Sequence, residues 1–333
     1  MVSTEQDAAL PYALPWHQQP WTSLLRERSR VAHALLLNGQ VGLGKQQFAE
    51  RLARALLCAN PGKSADACGA CRQCQLLAAG THPDLTRVEP LEEGKAITVD
   101  QVRALIDFVT TRPHSAARKI TIICPAESMN INAANSLLKL LEEPPLASVF
   151  ILVSHRPTTL PATVRSRCQR VDFRTPPRET ALNWLEAQGV VAAGEAQILL
   201  NLAGGAPLQA LAESDLLRER GQLLADLEAL SAQEADPVML AARWHKLGAG
   251  RCLAWLAGAV TDLIKLAMVE GEGAHLINAD LASRLHALGQ GLHLKHLYGF
   301  ADALAEARGL VASPVDNLLL LEDILIRWTV RQE

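Results

Sequence analysis

Short apolar runs alternate with amphipathic stretches through the first half of the chain. Residues 33–38 (HALLLN), 84–88, 119–124 (KITIIC), 148–154 (SVFILVS) and 171–173 read as strands. Between them the apolar positions switch to a helical period. Residues 45–57 place Phe48, Leu52, Ala55 and Leu56 on one face, and 99–110 do the same with Val102, Leu105, Ile106 and Val109. A third helix, 132–143, is stopped by Pro144-Pro145, since proline cannot continue the hydrogen-bond ladder. Strand alternating with helix predicts an α/β fold, a mostly parallel sheet with helices on both faces. After Arg174-Thr175-Pro176-Pro177 the strand signal stops. Residues 178–188 and 196–203 read as short helices broken by Gly204-Gly205-Ala206-Pro207, and from about Glu213 the chain is Leu/Ala-rich and helical to its end. Three units follow from this pattern: an α/β domain over 1–174, a small helical lid over 175–212 and an all-α domain over 213–333. The last apolar stretch, 314–328, reads as a core or subunit-packing helix.

Composition narrows the class. Hydrophobic residues make up 49% of 333, enough for a sizeable core, while aromatics are only 4%. A net charge of −3 argues against a surface devoted to nucleic acid and leaves room for a local basic face. Residues 1–7 are polar and acidic and lack the pattern of a secretory signal, and no apolar run reaches membrane-spanning length, so a cytoplasmic location is expected.

Of seven cysteines, four fall close together as Cys58-x9-Cys68-x2-Cys71-x2-Cys74. Four thiolates with tight-turn spacings are what tetrahedral zinc takes, and a site with no open position is structural. Free thiols or a redox C-x-x-C are the alternatives. Cys124, Cys168 and Cys252 read as small core residues.

The chemistry of greatest interest is the loop Gly39-Gln40-Val41-Gly42-Leu43-Gly44-Lys45-Gln46. Strand, glycine loop and helix follow in the order that a phosphate cradle requires. Gly39, Gly42 and Gly44 free backbone N–H groups to turn toward phosphate oxygens, and Lys45 meets the β- and γ-phosphates. The next residue should carry a hydroxyl for Mg²⁺ and is Gln46. A strand that should end in an acid ends in Cys124-Pro125, and the first carboxylate is Glu127. Two elements that handle magnesium are therefore missing. ATP and Mg²⁺ are not expected to be used in this chain's own site, while bare nucleotide binding through Lys45 stays open.

Ala133-Ala134-Asn135-Ser136-Leu137-Leu138-Lys139-Leu140-Leu141-Glu142-Glu143-Pro144-Pro145, together with Ser166-Arg167-Cys168, the four-cysteine insert and Gly80-Thr81-His82-Pro83-Asp84, resembles the bacterial clamp-loader AAA+ family. The motifs cover about residues 30–175. The resemblance implies a RecA-like AAA+ domain, a lid and a collar domain, in a hetero-pentamer with gamma/tau and delta subunits. It further implies work on the sliding clamp and primer–template DNA as part of DNA polymerase III, by a chain that makes no phosphodiester bond itself. Active members of that family carry Lys-Thr or Lys-Ser in the loop, Asp-Glu at the positions of Cys124 and Pro125, and a lid arginine where this chain has Leu208. All three departures point to the family's non-hydrolysing stator branch. The resemblance also implies that Arg167 reaches toward a neighbouring subunit's γ-phosphate as an arginine finger, a role that stabilises charge on the transferring phosphoryl group. The plainer alternatives for Arg167 are a surface arginine or one paired to a carboxylate. Ser154 lies at a polar sensor position and is expected only to pack. Arg165 and Arg170 could face DNA phosphates or solvent. Glu142 and Glu143 are adjacent on a helix and diverge in direction, so they do not read as an acid–base pair.

Two other functions remain from sequence. An active motor would need Mg²⁺ held by unusual ligands such as Gln46 and Glu127. A zinc-dependent nucleic-acid-binding protein would need a basic surface, which the near-neutral charge disfavours.

Overall fold

Central strands made almost wholly of Leu, Ile and Val can be buried only if both sheet faces are covered, and that requirement organises the first half of the chain. A computed structural model describes residues 13–92, 94–145, 147–189, 194–268, 276–311, 313 and 315–329. The polar 1–7 stretch, the outer ends of the first and third expected domains, and Pro314 lie outside the described residues. The chain divides into two compact units, Met1–Thr180 and Ala181–Glu333.

The first unit runs α1 (Gln18–Leu25), β1 (Ala34–Asn38), α2 (Lys45–Leu57), α3 (Arg72–Ala78), β2 (Leu85–Val88), α4 (Val99–Thr110), β3 (Lys119–Ile123), α5 (Ile131–Glu142), β4 (Ser148–Ser154), α6 (Ala162–Arg165) and β5 (Gln169–Asp172). The five strands form one parallel sheet in the order β2-β3-β4-β1-β5. Every residue of β3 and β4 is buried. One face packs Val102, Leu105 and Val109 of α4 and Leu137, Leu140 and Leu141 of α5 against Leu36, Ile123, Phe150 and Leu152. Helix α2 presents Phe48, Leu52, Ala55 and Leu56 as buried residues, the stripe its periodicity predicts. The last strand begins two residues earlier than its apolar pattern indicates, because Gln169 and Arg170 pair with β1 although both are exposed.

Helix starts are set by side chains. Thr98 and Gln101 form a reciprocal capping box on α4. Asn130 Oδ1 accepts from Ala133 N at 2.8 Å, which starts α5 one residue earlier than expected. The two starts are tied together: Ile97 N donates to Ser128 O at 2.8 Å and Asn130 N to Ile97 O at 3.1 Å.

The second unit is entirely helical among its described residues. It follows α7 (Arg178–Ala187) with α8 (Glu195–Leu202), α9 (Pro207–Ala212), α10 (Leu216–Ser231), α11 (Pro237–Leu247), α12 (Ala249–Met268), α13 (Ala282–Gly289), α14 (Leu294–Leu310) and α15 (Asn317–Thr329). Its core gathers Trp244, Trp255, Leu256, Leu304, Leu325 and Trp328. Two buried aspartates are satisfied locally. Asp262 accepts from Ile277 N, Asn278 N and Asn278 Nδ2, each at 2.8 Å, and Asp226 accepts from Trp244 Nε1 at 2.9 Å. No single described helix is long and apolar enough to cross a membrane.

Asp84, at the head of β2, is fully buried. Its carboxylate accepts backbone N–H bonds from His114 (2.6 Å), Ser115 (2.7 Å) and Ala116 (2.8 Å), and so fixes the turn that leads into β3. Burial opposes the charge, but the three N–H groups outweigh it and hold the carboxyl below the usual range. A depressed folded-state pKa contributes stability above the unfolded value of about 3.9, and that contribution is lost as pH falls through the folded value. Asp84→Asn should therefore lower unfolding free energy by about 2 kcal/mol at pH 7. Denaturant titrations at pH 7, 5 and 3 should show the gap between variant and parent persisting at pH 5 and narrowing at pH 3.

Candidate functional site

The parallel register brings three strand ends to one edge. Asn38 pairs with Ser154, and Ile123 with Leu152, so Gly39, Cys124 and His155 emerge side by side. The glycine loop occupies this edge and leads directly into α2, as the spacing predicts. Gly39, Gly42 and Gly44 all have positive φ. At two of them a side chain would also collide: a Cβ on Gly39 would lie 2.5 Å from Phe173 O, and one on Gly44 would lie 2.3 Å from Leu14 Cδ1. The second contact belongs to a feature that sequence reasoning missed. The segment before α1 is clamped over the loop: Trp16 Nε1 and His17 Nε2 both donate to Leu43 O at 2.9 Å. His17 is fully buried against Phe48 and Phe173. Burial drops its pKa to about 4, so at neutral pH it is the uncharged tautomer that donates from Nε2. The aromatic residues Trp16 and His17, just ahead of the first helix, were the only sequence signal.

Lys45 is 2% exposed, and its Nζ donates to Gln40 O at 2.6 Å within the loop. Burial lowers its pKa to about 8, partly opposed by the charge of Glu127. Behind it, the two residues that stand where magnesium ligands are expected meet each other. The Cys124 thiol donates to Gln46 Oε1 at 3.7 Å. Burial pushes Cys124 up to about 12, so the thiol is neutral. Glu127, the nearest acid in sequence, has Oε1 committed to the backbone N–H groups of His155 (2.9 Å) and Arg156 (3.2 Å) at the end of β4. Ser154 is fully buried, and its Oγ has no hydrogen-bond partner among the described residues.

The four cysteines of the insert do converge. Their sulfurs all lie within 4.8 Å of one another, with Cys58–Cys71 at 3.9 Å and Cys68–Cys74 at 4.0 Å. A disulfide would need about 2.05 Å. A tetrahedral ion with metal–sulfur bonds of about 2.3 Å would set the sulfurs about 3.8 Å apart. Backbone N–H groups point at the sulfurs, Cys68 N to Cys58 Sγ at 3.3 Å and Cys71 N to Cys68 Sγ at 3.4 Å. Such donors favour thiolate: the N–H of Cys71 lowers Cys68, and that of Cys74 lowers Cys71 to about 6. Burial pushes Cys74 the other way, and four thiolates at this spacing need a dication among them. The residues present fit a metal. The insert is also pinned without one. Arg51 forms a two-point pair with Asp66 (2.6 and 2.9 Å) while stacking over Trp21, Trp21 Nε1 donates to Ser64 O, and Arg28 donates to Cys58 O.

Arg167 lies elsewhere. It follows α6 and precedes β5, whereas the glycine loop follows β1. Leu35 pairs with Gln169 and Asn38 with Asp172, so β5 must run three residues, about 10 Å, before it reaches the loop's edge. Arg167 thus sits toward the opposite edge of the sheet from its own phosphate loop. Its side chain is 34% exposed and its Nη2 meets Glu142 Oε1 at 2.5 Å. The carboxylate pairing that sequence offered as an alternative is therefore present, and it joins the two motifs that carry the family resemblance. Arg170 pairs with Asp172 at 3.3 Å, with both side chains more than half exposed.

Comparison with known proteins identifies the family. The family model described as "DNA polymerase III, delta subunit" matches residues 19–177, and "DNA polymerase III, delta subunit, C terminal" matches 214–330. DNA polymerase III subunit delta' of Pseudomonas aeruginosa is 38% identical, covering 94% of this chain and 96% of its own. The Escherichia coli subunit delta' is 31% identical over 94% of each. A solved gamma-subunit-related protein from Thermotoga maritima aligns with 94% of this chain and 99% of its own at 19% identity, with a TM-score of 0.47, too loose an overlap to argue from. Both halves of the chain are matched in order and the identity extends through nearly all of it: the chain belongs to the DNA polymerase III subunit delta' family.

Proposed function

We propose that the chain is a clamp-loader subunit that does not hydrolyse ATP, a stator that lends Arg167 to the site of an adjoining gamma/tau ATPase. In this reading it assembles with gamma/tau and delta, and the assembly opens the sliding clamp and loads it on primer–template DNA in the cytoplasm. Residues 175–212 would act as the lid and 213–333 as the collar that joins the subunits.

The observation that carries the reading is the contact between Gln46 and Cys124. A hydroxyl and a carboxylate at these places would share a magnesium ion. A neutral thiol hydrogen-bonded to an amide gives that ion no anionic ligand from either residue. Glu127 holds the turn after β4 through one oxygen, while its other oxygen is buried without a hydrogen-bond partner among the described residues. The position of Arg167 supports the second half of the proposal: a guanidinium near the far edge of the sheet is poorly placed for its own loop, and a third of its side chain is exposed. The four-thiol cluster would hold structural zinc through Cys58, Cys68, Cys71 and Cys74. The metal there supplies cross-linking, and nothing in the proposed mechanism passes through it.

Three outcomes are expected. The isolated chain should release no phosphate from ATP, and Lys45→Ala should match the parent in a phosphate-release assay; turnover abolished by that variant would restore the motor reading. In a complex reconstituted with gamma/tau and delta, Arg167→Ala should assemble normally on size exclusion. Its clamp- and DNA-stimulated ATP turnover should fall, with the adjoining site losing on the order of 10³-fold. Elemental analysis should find one zinc per chain, reduced by Cys68→Ser. Chelation should raise amide exchange around residues 58–74 while the sheet stays protected, because Arg51, Trp21 and Arg28 anchor the insert independently.

A further inference from the structure

The pair between Arg167 and Glu142 ties a feature of unknown purpose to the residue on which the proposed function turns. Glu142 is the last residue of α5, and Pro144-Pro145 prevents that helix from continuing. Leu140 and Leu141 are buried beneath it, so the helix end is fixed while the carboxylate stands 48% exposed. Helix α6 packs on the same apolar cluster through the fully buried Val164. That packing sets the segment carrying Arg167 beside the end of α5.

The arginine is held but not saturated. Nη2 meets Glu142 Oε1 at 2.5 Å, and Nη1 donates to Thr163 O at 2.9 Å, with Ser166 Oγ more distant at 3.4 Å. Nε has no hydrogen-bond partner among the described residues. A buried donor left unpaired marks an arrangement that a better acceptor can improve. The Glu142 carboxylate carries a single charge and stands in water, where such pairs are weak. A terminal phosphate presents several anionic oxygens and takes arginine in a two-point grip.

We propose that Glu142 is a positioning residue, a counter-ion that parks Arg167 on its own subunit until the terminal phosphate of a nucleoside triphosphate on the adjoining subunit displaces it. This rests on Arg167 acting in trans. The carboxylate sets a threshold: it keeps the guanidinium oriented and unavailable to weaker anions, and it raises the nucleotide concentration needed for engagement.

The test is a reconstituted complex with gamma/tau and delta in four forms: parent, Glu142→Gln, Arg167→Ala and both together. Glu142→Gln should lower the half-saturating ATP concentration by about two- to fivefold, the range set by exposed ion pairs, with a smaller change in kcat. The shift should vanish when Arg167 is already Ala. An unchanged or raised half-saturation, or the same shift without Arg167, would overturn the proposal, since a purely architectural Glu142 acts regardless of the arginine. A separate measurement covers the parent reading. In the free subunit, the side-chain Nε–H signal of Arg167 should move and broaden in Glu142→Gln. If that signal moves but Arg167→Ala leaves turnover intact, the parking contact is real and the trans role is wrong. If the signal is unmoved, the latch itself is excluded.

Discussion

Parallel hydrogen-bonding between β1, β3 and β4 decides what can be neighbours in this molecule. Because all strands point one way, their carboxyl ends share an edge, and whatever residues follow them must accommodate one another there. In a magnesium-using loop that accommodation runs through the ion, which allows a hydroxyl and a carboxylate to sit close without penalty. Here the same positions hold Gln46 and Cys124, and the accommodation is direct. A buried carboxylate without its metal would be costly, and a neutral thiol costs far less. Replacing one partner alone would leave the other unsatisfied, so the two departures make sense as a unit. Lys45, still buried and turned onto Gln40 O, keeps the loop's shape without requiring a ligand to do so.

The same economy governs the insert. A metal at the four cysteines would cross-link the end of α2 to α3, a local closure of about one loop. Arg51, Trp21 and Arg28 grip the insert from outside with charge-assisted and stacking contacts. The Arg51 guanidinium holds the Asp66 carboxyl below its usual range, so that pair is ionised throughout the neutral region. Stability of the insert is therefore shared between the thiols and a lattice of ordinary side chains.

Much of this was legible in sequence because it is written in local patterns. The helix 45–57 is bounded by the glycine loop and by Cys58, and the structure reproduces it to the residue. The apolar runs 119–124 and 148–154 leave no other choice than buried strands. The four cysteines converge because two tight spacings already bring three of them together. What sequence could not show are contacts across long separations. Glu142 and Arg167 are 25 residues apart, and nothing in either motif says that they touch. Asp84 reads as one polar residue before a strand, yet its charge organises a turn 30 residues away. His17 lies 26 residues from the carbonyl it holds, and its burial follows only once Phe48 and Phe173 are placed. In each case a polar group found its partner through tertiary packing.

The two halves of the proposed function are physically separable, and the sheet explains why. The phosphate loop hangs from the carboxyl end of β1, while Arg167 stands before the amino end of β5. Three residues of strand, about 10 Å, separate the two. In the proposed reading, the change to Gln46 and Cys124 at the loop leaves the support of Arg167 intact. That support comes from Val164 in the core, the end of α5 and the carboxylate of Glu142. In the proposed assembly the phosphate-loop edge would serve the chain itself and the Arg167 edge its neighbour. Such a fold can lose the first chemistry and keep the second without rebuilding anything between them.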